Sequence, residues 1–277
     1  MIVLVSRRPP VARLRLFLFF LAVASLAPWV AIADTWVDID AVGAQPVPRY
    51  AHTAVAVNGK AYIFGGASAE PVRCPVANDI WMYDQLLCEW ERGSSAGQTP
   101  VALSQPAAIT LDGDIYIIGG RQESSRALQV FVYDPAEKYW RASVLPRTQP
   151  PPTSFHTATL VGDVAYMIGG YDDAEGRHAG DVWACHLRAG AIWEKRTPMP
   201  PGTERWGHTT VSVGNKQFVF GGSTPTGRLN ELWCYDVDTD SWTQIETSGG
   251  PPPVRANHSV AYADGRMWIF GGHTGHA

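Results

Sequence analysis

Two residue types recur at fixed distances in this chain, and both could do chemistry. His52, His156, His208 and His258 each stand ten residues before an aromatic residue: Tyr62, Tyr166, Phe218 and Trp268. Arg49, Arg205 and Arg255 each stand three residues before one of those histidines. Imidazoles bind metals and move protons, and guanidinium groups recognise carboxylates through paired hydrogen bonds. A denser acid–base run, Asp172, Asp173, Glu175 and His178, carries the groups that general acid–base chemistry needs.

The spacing argues against most of that chemistry. Metal ligands converge from different positions, whereas these histidines occupy one repeated position. They are expected to hydrogen-bond backbone within or between structural units, with no metal site. His273 and His276 are too close to the end of the chain to carry weight. The sequence has no Gly-x-Ser-x-Gly, His-Glu-x-x-His or phosphate-loop pattern. No catalytic residue and no cofactor is expected, and the run from Asp172 to His178 reads as a solvated loop.

The element that positions these residues is a repeat. Tyr62-Ile63-Phe64-Gly65-Gly66 returns as Tyr116–Gly120, Tyr166–Gly170, Phe218–Gly222 and Trp268–Gly272. The period is near fifty residues, which marks a stacked repeat architecture. Each copy is preceded by an alternating apolar segment, such as Thr53–Val57, and a tight turn, such as Asn58-Gly59 or Asp112-Gly113. These predict a hairpin of strands a and b, with b ending at Gly-Gly. A variable loop leads to strand c at Asp79–Asp84, Val130–Asp134, Asp181–Cys185 and Glu231–Asp236. A tryptophan then opens strand d: Trp90, Trp140, Trp193 and Trp242, each expected to be a buried wedge.

Four antiparallel strands per unit make a β-propeller blade. The order Arg-x-x-His, hairpin, Gly-Gly, Tyr-Asp, spaced Trp resembles the kelch repeat over residues 36–272. Repeat two departs from it at Leu103 and Pro106, and repeat three lacks the arginine. The expected fold is therefore an all-β, kelch-type propeller with five repeats visible, the last incomplete. Thr35–Ile39 looks like a lone strand d, while the fifth repeat has strands a and b only. Trp36 would then close a three-stranded blade, or the chain is a fragment of a longer ring; the fragment is favoured, because an open edge is a liability. Neither the Asp boxes of sialidases nor the copper-binding set of galactose oxidase, a related propeller enzyme, is seen.

Residues 1–33 read as a secretory signal peptide: Arg7, Arg8, Arg13 and Arg15, apolar Leu16–Leu26, then Ala31-Ile32-Ala33. The alternative is an uncleaved anchor. Residues 34–277 form the propeller, and loss of those four arginines takes the net charge from −4 to −8. An acidic chain without a basic cluster argues against nucleic acid and anionic membranes. A protein exported to the secretory lumen or beyond is expected.

Cys74 and Cys88 flank a strand of roughly 20 Å, beyond disulfide reach, and Cys185 and Cys234 point to opposite faces of neighbouring blades. No intrachain disulfide is expected. The sequon Asn257-His258-Ser259 lies in strand a and is expected to be poorly used.

Strands a and c run the same way, so the long loops leading into them share one face, where binding is expected. In kelch propellers the arginine position lines the channel mouth, which here implies a binding set of Arg49, Tyr50, Phe155, Arg205, Trp206 and Arg255. The expected occupant is a protein partner with acidic groups; arginines stacked between blades are the open alternative. A non-enzymatic interaction scaffold leads, with a secretory enzyme or carbohydrate-binding propeller as the rival.

Overall fold

The computed structural model describes residues 39–68, 76–122, 128–143 and 148–275. The signal segment, Trp36, Cys74 and His276 lie outside the described residues. Four four-stranded antiparallel blades and a final two-stranded unit make up the fold. Blade 1 consists of Thr53–Val57, Lys60–Phe64, Ile80–Asp84 and Glu89–Arg92, strands a to d from the axis outward. Blade 2 repeats this with Ala107–Leu111, Asp114–Ile118, Val130–Asp134 and Tyr139–Ala142. Blade 3 has Thr157–Val161, Val164–Asp172, Arg177–His186 and Ile192–Arg196. Blade 4 has Thr209–Val213, Lys216–Phe220, Leu232–Asp236 and Ser241–Ile245. The fifth unit is the hairpin Ala256–Ala263 with Arg266–His273. The innermost strands touch one another in chain order, which is the radial arrangement of a β-propeller. Among the described residues the only helical turn is Leu187–Ala189, and no helix is long and apolar enough to cross a membrane.

The a–b turns form as their residues dictate. Asn58 and Gly59, Asp112 and Gly113, and Asp264 and Gly265 all take positive φ, the requirement of a type I′ turn. The c–d turns rely on an aspartate at the end of strand c. The carboxylate of Asp84 accepts the N–H groups of Leu86 and Leu87, and Asp134 and Asp236 do the same in blades 2 and 4.

The Gly-Gly pair is where two blades close on each other. Gly65 and Gly66 both take positive φ. A Cβ on Gly65 would lie 2.5 Å from the Leu103 carbonyl of blade 2, and one on Gly66 would lie 2.6 Å from the Tyr50 carbonyl. Only glycine permits that approach. It lets the Gly66 N–H donate to Leu103 O at 2.8 Å, a bond repeated from Gly170 to Arg205 O and from Gly222 to Arg255 O.

The core lies between blades. Phe64 of blade 1 packs 5.3 Å from Trp140 of blade 2, and Tyr133 stacks 4.9 Å from the same ring. Trp90, Trp140 and Trp193 are buried as expected. Trp242 is only half-buried. In blades 1 and 2 a short segment runs parallel to strand d, through the pairs Val42 with Glu89 and Gly97 with Trp140, and covers the tryptophan. Among the described residues the sheets of blades 3 and 4 both end at strand d. Trp268 of the fifth unit, whose described sheet has two strands, is 46% exposed.

Candidate functional site on the loop face

Each innermost strand begins with one residue in the left-handed region: Ala51 (φ 58), Gln105 (57), Phe155 (56), Gly207 (63) and Asn257 (56). The twist turns the chain from a short outer strand into strand a. It also aims backbone groups at the next blade. Gln105 N–H donates to Ala51 O at 2.7 Å, Gly207 N–H to Phe155 O at 3.1 Å and Asn257 N–H to Gly207 O at 2.7 Å. The result is a backbone collar around the axis on the long-loop face.

The arginines one turn earlier face inward. Arg49 is 4% exposed; its Nη1 donates to Gly65 O at 3.0 Å, and its fork holds Asp79 at 2.6 and 3.0 Å. Burial pushes the Asp79 carboxyl up, but hydrogen bonds from Arg49 and Trp81 outweigh it and hold the group below its ordinary range. Arg205 is 0% exposed and repeats the arrangement with Thr203 O, Gly221 O and Glu231 at 2.8, 3.1 and 3.2 Å. Arg255 donates to Pro253 O and Gly271 O, and no acid pairs with it among the described residues. The expected role of these guanidiniums as a partner's anchor is therefore corrected for Arg49 and Arg205: both are consumed within their own blades. An acid stands two residues before the strand c tryptophan in Asp79-Ile-Trp81 and Glu231-Leu-Trp233, and both acids also accept the indole N–H. Where Thr153 replaces the arginine, Asp181 pairs with Lys195 instead.

The aromatic members of the expected set do reach the surface. Tyr50 is 55% exposed and sits on blade 1, paired with Ala67. Phe155 and Trp206, half-buried, meet with ring centroids 4.6 Å apart. Two rings that the sequence reading left out of the binding set extend them. His178 lies 6.4 Å from Trp206, and Tyr171 lies 5.9 Å from His178. The stretch expected to be a solvated loop is a β-hairpin. Strands b and c of blade 3 run on past Gly-Gly, pairing Tyr171 with His178 and Asp172 with Arg177. Asp172 is buried and caps the turn through the N–H groups of Ala174 and Glu175. The alternation that would have revealed this hairpin is broken by the bulge at Gly169-Gly170.

Three of the repeated histidines, His156, His208 and His258, are inter-blade staples. The ring of His156 lies between Thr153 O and Ile118 O of blade 2. His208 bonds Thr157 of blade 3, and His258 bonds Thr209 of blade 4. Burial lowers the pKa of His52, His156 and His258 to about 4 and of His208 to about 3, so all four are neutral at pH 7.

The sequence matches the family model described as the KLHDC2/KLHL20/DRC7 Kelch-repeats domain over residues 26–170 and 166–277. The chain belongs to the kelch-repeat family. It is 26% identical over 252 residues to the leucine-zipper-like transcriptional regulator 1 homolog of Drosophila melanogaster, covering 86% of this chain and 26% of that protein. It is 26% identical over 244 residues to Kelch domain-containing protein 3 of Rattus norvegicus, covering 81% of this chain and 64% of the relative. With Host cell factor 2 of Homo sapiens it shares 26% over 280 residues, 92% of this chain and 34% of the relative. The chain thus spans less than two thirds of the length of these relatives.

In this kelch chain the repeat-defining residues, Gly-Gly, His and Arg, all act in blade assembly. Residues that vary between repeats, such as Phe155, Trp206, Tyr171 and His178, shape the outer surface. Cys88, Cys185 and Cys234 are free thiols. Burial pushes the Cys185 thiol up to about 12, which leaves it unreactive.

Proposed function

We propose that this chain is a non-enzymatic protein-interaction scaffold of the secretory route, with the long-loop face as its docking surface. The observation that carries the reading is the row of rings Phe155, Trp206, His178 and Tyr171. Rigid, half-exposed aromatic residues are the residues that dominate protein interfaces. Tyr50 extends the same face on blade 1. The acidic partner expected from the arginines loses its basis for Arg49 and Arg205, whose guanidiniums are already paired; Arg255 is the one that stays half-exposed.

Secretion is supported by the arginine-rich start, the apolar run and Ala31-Ile32-Ala33. Protein recovered from the medium of secretory cells should begin at Asp34, and a mature protein that keeps Met1 would refute cleavage. The carbohydrate reading draws on the same row, since rings beside carboxylates also fit sugars. The enzyme reading is weakened because Asp172 is committed to its turn.

The test is affinity capture from secretory-pathway extract, run beside a glycan array and with Trp206→Ala and Asp112→Ala variants. Partners lost with Trp206→Ala and kept with Asp112→Ala, on the opposite face, are expected. Glycan binding without protein partners would overturn the scaffold reading.

A further inference from the structure

Unpaired carboxylates gather at the blade 3 end of the aromatic row, around His178. Three cations of the loop face are matched, Arg49 by Asp79, Arg205 by Glu231, and Arg177 by Asp172 at 3.6 Å, whereas Arg121 of blade 2, Arg228 of blade 4 and Arg255 of the fifth unit have no ion-pair partner among the described residues. Glu204 precedes Arg205 and packs on Gly180, beside His178. Glu175 and Asp173 are exposed on the turn of the blade 3 hairpin. Among the described residues, none of these three carboxylates has an ion-pair partner. Aromatic faces themselves attract cations.

The row is also held in place. Tyr171 and His178 are opposite each other in the hairpin register, and Trp206 bridges Ser223 through both backbone groups. Phe155 is held at φ 56, a conformation bulky side chains rarely adopt, at a position where blade 4 has Gly207. Assembly of the blades does not require a ring there. His178 is kept neutral by burial, with Glu204 opposing, so the row carries no positive charge of its own at pH 7.

We propose that the Phe155–Trp206–His178–Tyr171 row, with Glu204 at its edge, docks a basic segment of a partner protein, one arginine or lysine side chain lying on the rings and pairing with Glu204. The proposal rests on the loop face being the interaction surface and names the chemistry of its partner. The held geometry lowers the entropy lost on docking.

The test uses the full mature chain and fluorescence anisotropy with two labelled Gly-Ser nonapeptides, one carrying three arginines and the other three glutamates. The arginine peptide should bind about tenfold or more tighter, the scale of a partly desolvated cation–π contact. Phe155→Gly and Glu204→Gln should each weaken it about fivefold or more, while urea midpoints stay at or above that of the parent chain. Tighter binding of the glutamate peptide, itself weakened by Phe155→Gly, would overturn the basic-partner inference and leave the loop face standing. Equal binding of the arginine peptide to all three proteins would reduce the effect to diffuse attraction by an acidic chain and overturn it. No binding of either peptide would also overturn it, while capture of a partner lost with Trp206→Ala would keep the scaffold reading.

Discussion

Nη2 of Arg205 lies 3.2 Å from Oε2 of Glu231, with the arginine side chain fully enclosed and the glutamate 35% exposed. The guanidinium also holds the carbonyls of Gly221 and Thr203. It thus ties together the start of blade 4, the end of strand b and the start of strand c. Removing a partner from a buried ion pair leaves unmatched charge and unmatched carbonyls. Arg205→Ala should therefore lower stability by about 3 kcal/mol, seen as a lower urea midpoint. A variant that keeps its midpoint but loses partner binding would return the arginine to the docking surface.

Acid should unfold this protein through its histidines. The folded-state pKa values of His52, His156 and His258 are about 4 and that of His208 is about 3, against 6.5 when unfolded. The unfolded chain takes up protons first, so stability is full above 6.5 and falls as pH drops toward 4. Each histidine costs up to about 3 kcal/mol across that window. Four together exceed the stability of many domains, so unfolding is expected before pH 4. Urea midpoints measured between pH 7 and 4.5 check this, and a flat profile would contradict it. Replacing His156 or His258 with Gln should flatten the slope.

The tryptophans should not be equivalent. Trp140→Ala should cost about 4 kcal/mol, because the ring packs against Phe64 across the blade boundary. Trp242→Ala should cost about 2 kcal/mol or less, because that ring already faces water on one side. Equal losses in thermal melts would mean that blade 4 carries an outer cover that the sheet order does not show.

Glycines at positive φ should separate into two classes. Gly59→Ala meets nothing within 4 Å and should cost about 1–2 kcal/mol from backbone strain alone. Gly66→Ala would drive a methyl group to 2.6 Å from the Tyr50 carbonyl. It should cost at least twice as much and weaken the clasp to Leu103. Chemical denaturation of the two variants distinguishes these outcomes.

The repeat was legible because it is local. Asn58-Gly59, Gly65-Gly66 and the tryptophan after each strand c set turns, strand ends and burial from their own short-range requirements. So the blades, their strand order and the all-β class could be read from the chain. The role of Arg49 and Arg205 could not be read with the same certainty. A guanidinium near a channel mouth can face a partner or face Asp79 and Glu231, and only the closeness of strand c decides between them. The aromatic row lies still further from sequence. Phe155 and Trp206 are far apart in the chain and belong to different blades. Their 4.6 Å contact exists because inter-blade hydrogen bonds such as Gly207 N–H to Phe155 O bring two strand starts together. His178 joins them because strands b and c of blade 3 keep pairing beyond a bulge that breaks the alternation. Turn chemistry acts over a few residues and is written in them, whereas a surface assembled from several blades depends on packing distances that no single repeat contains.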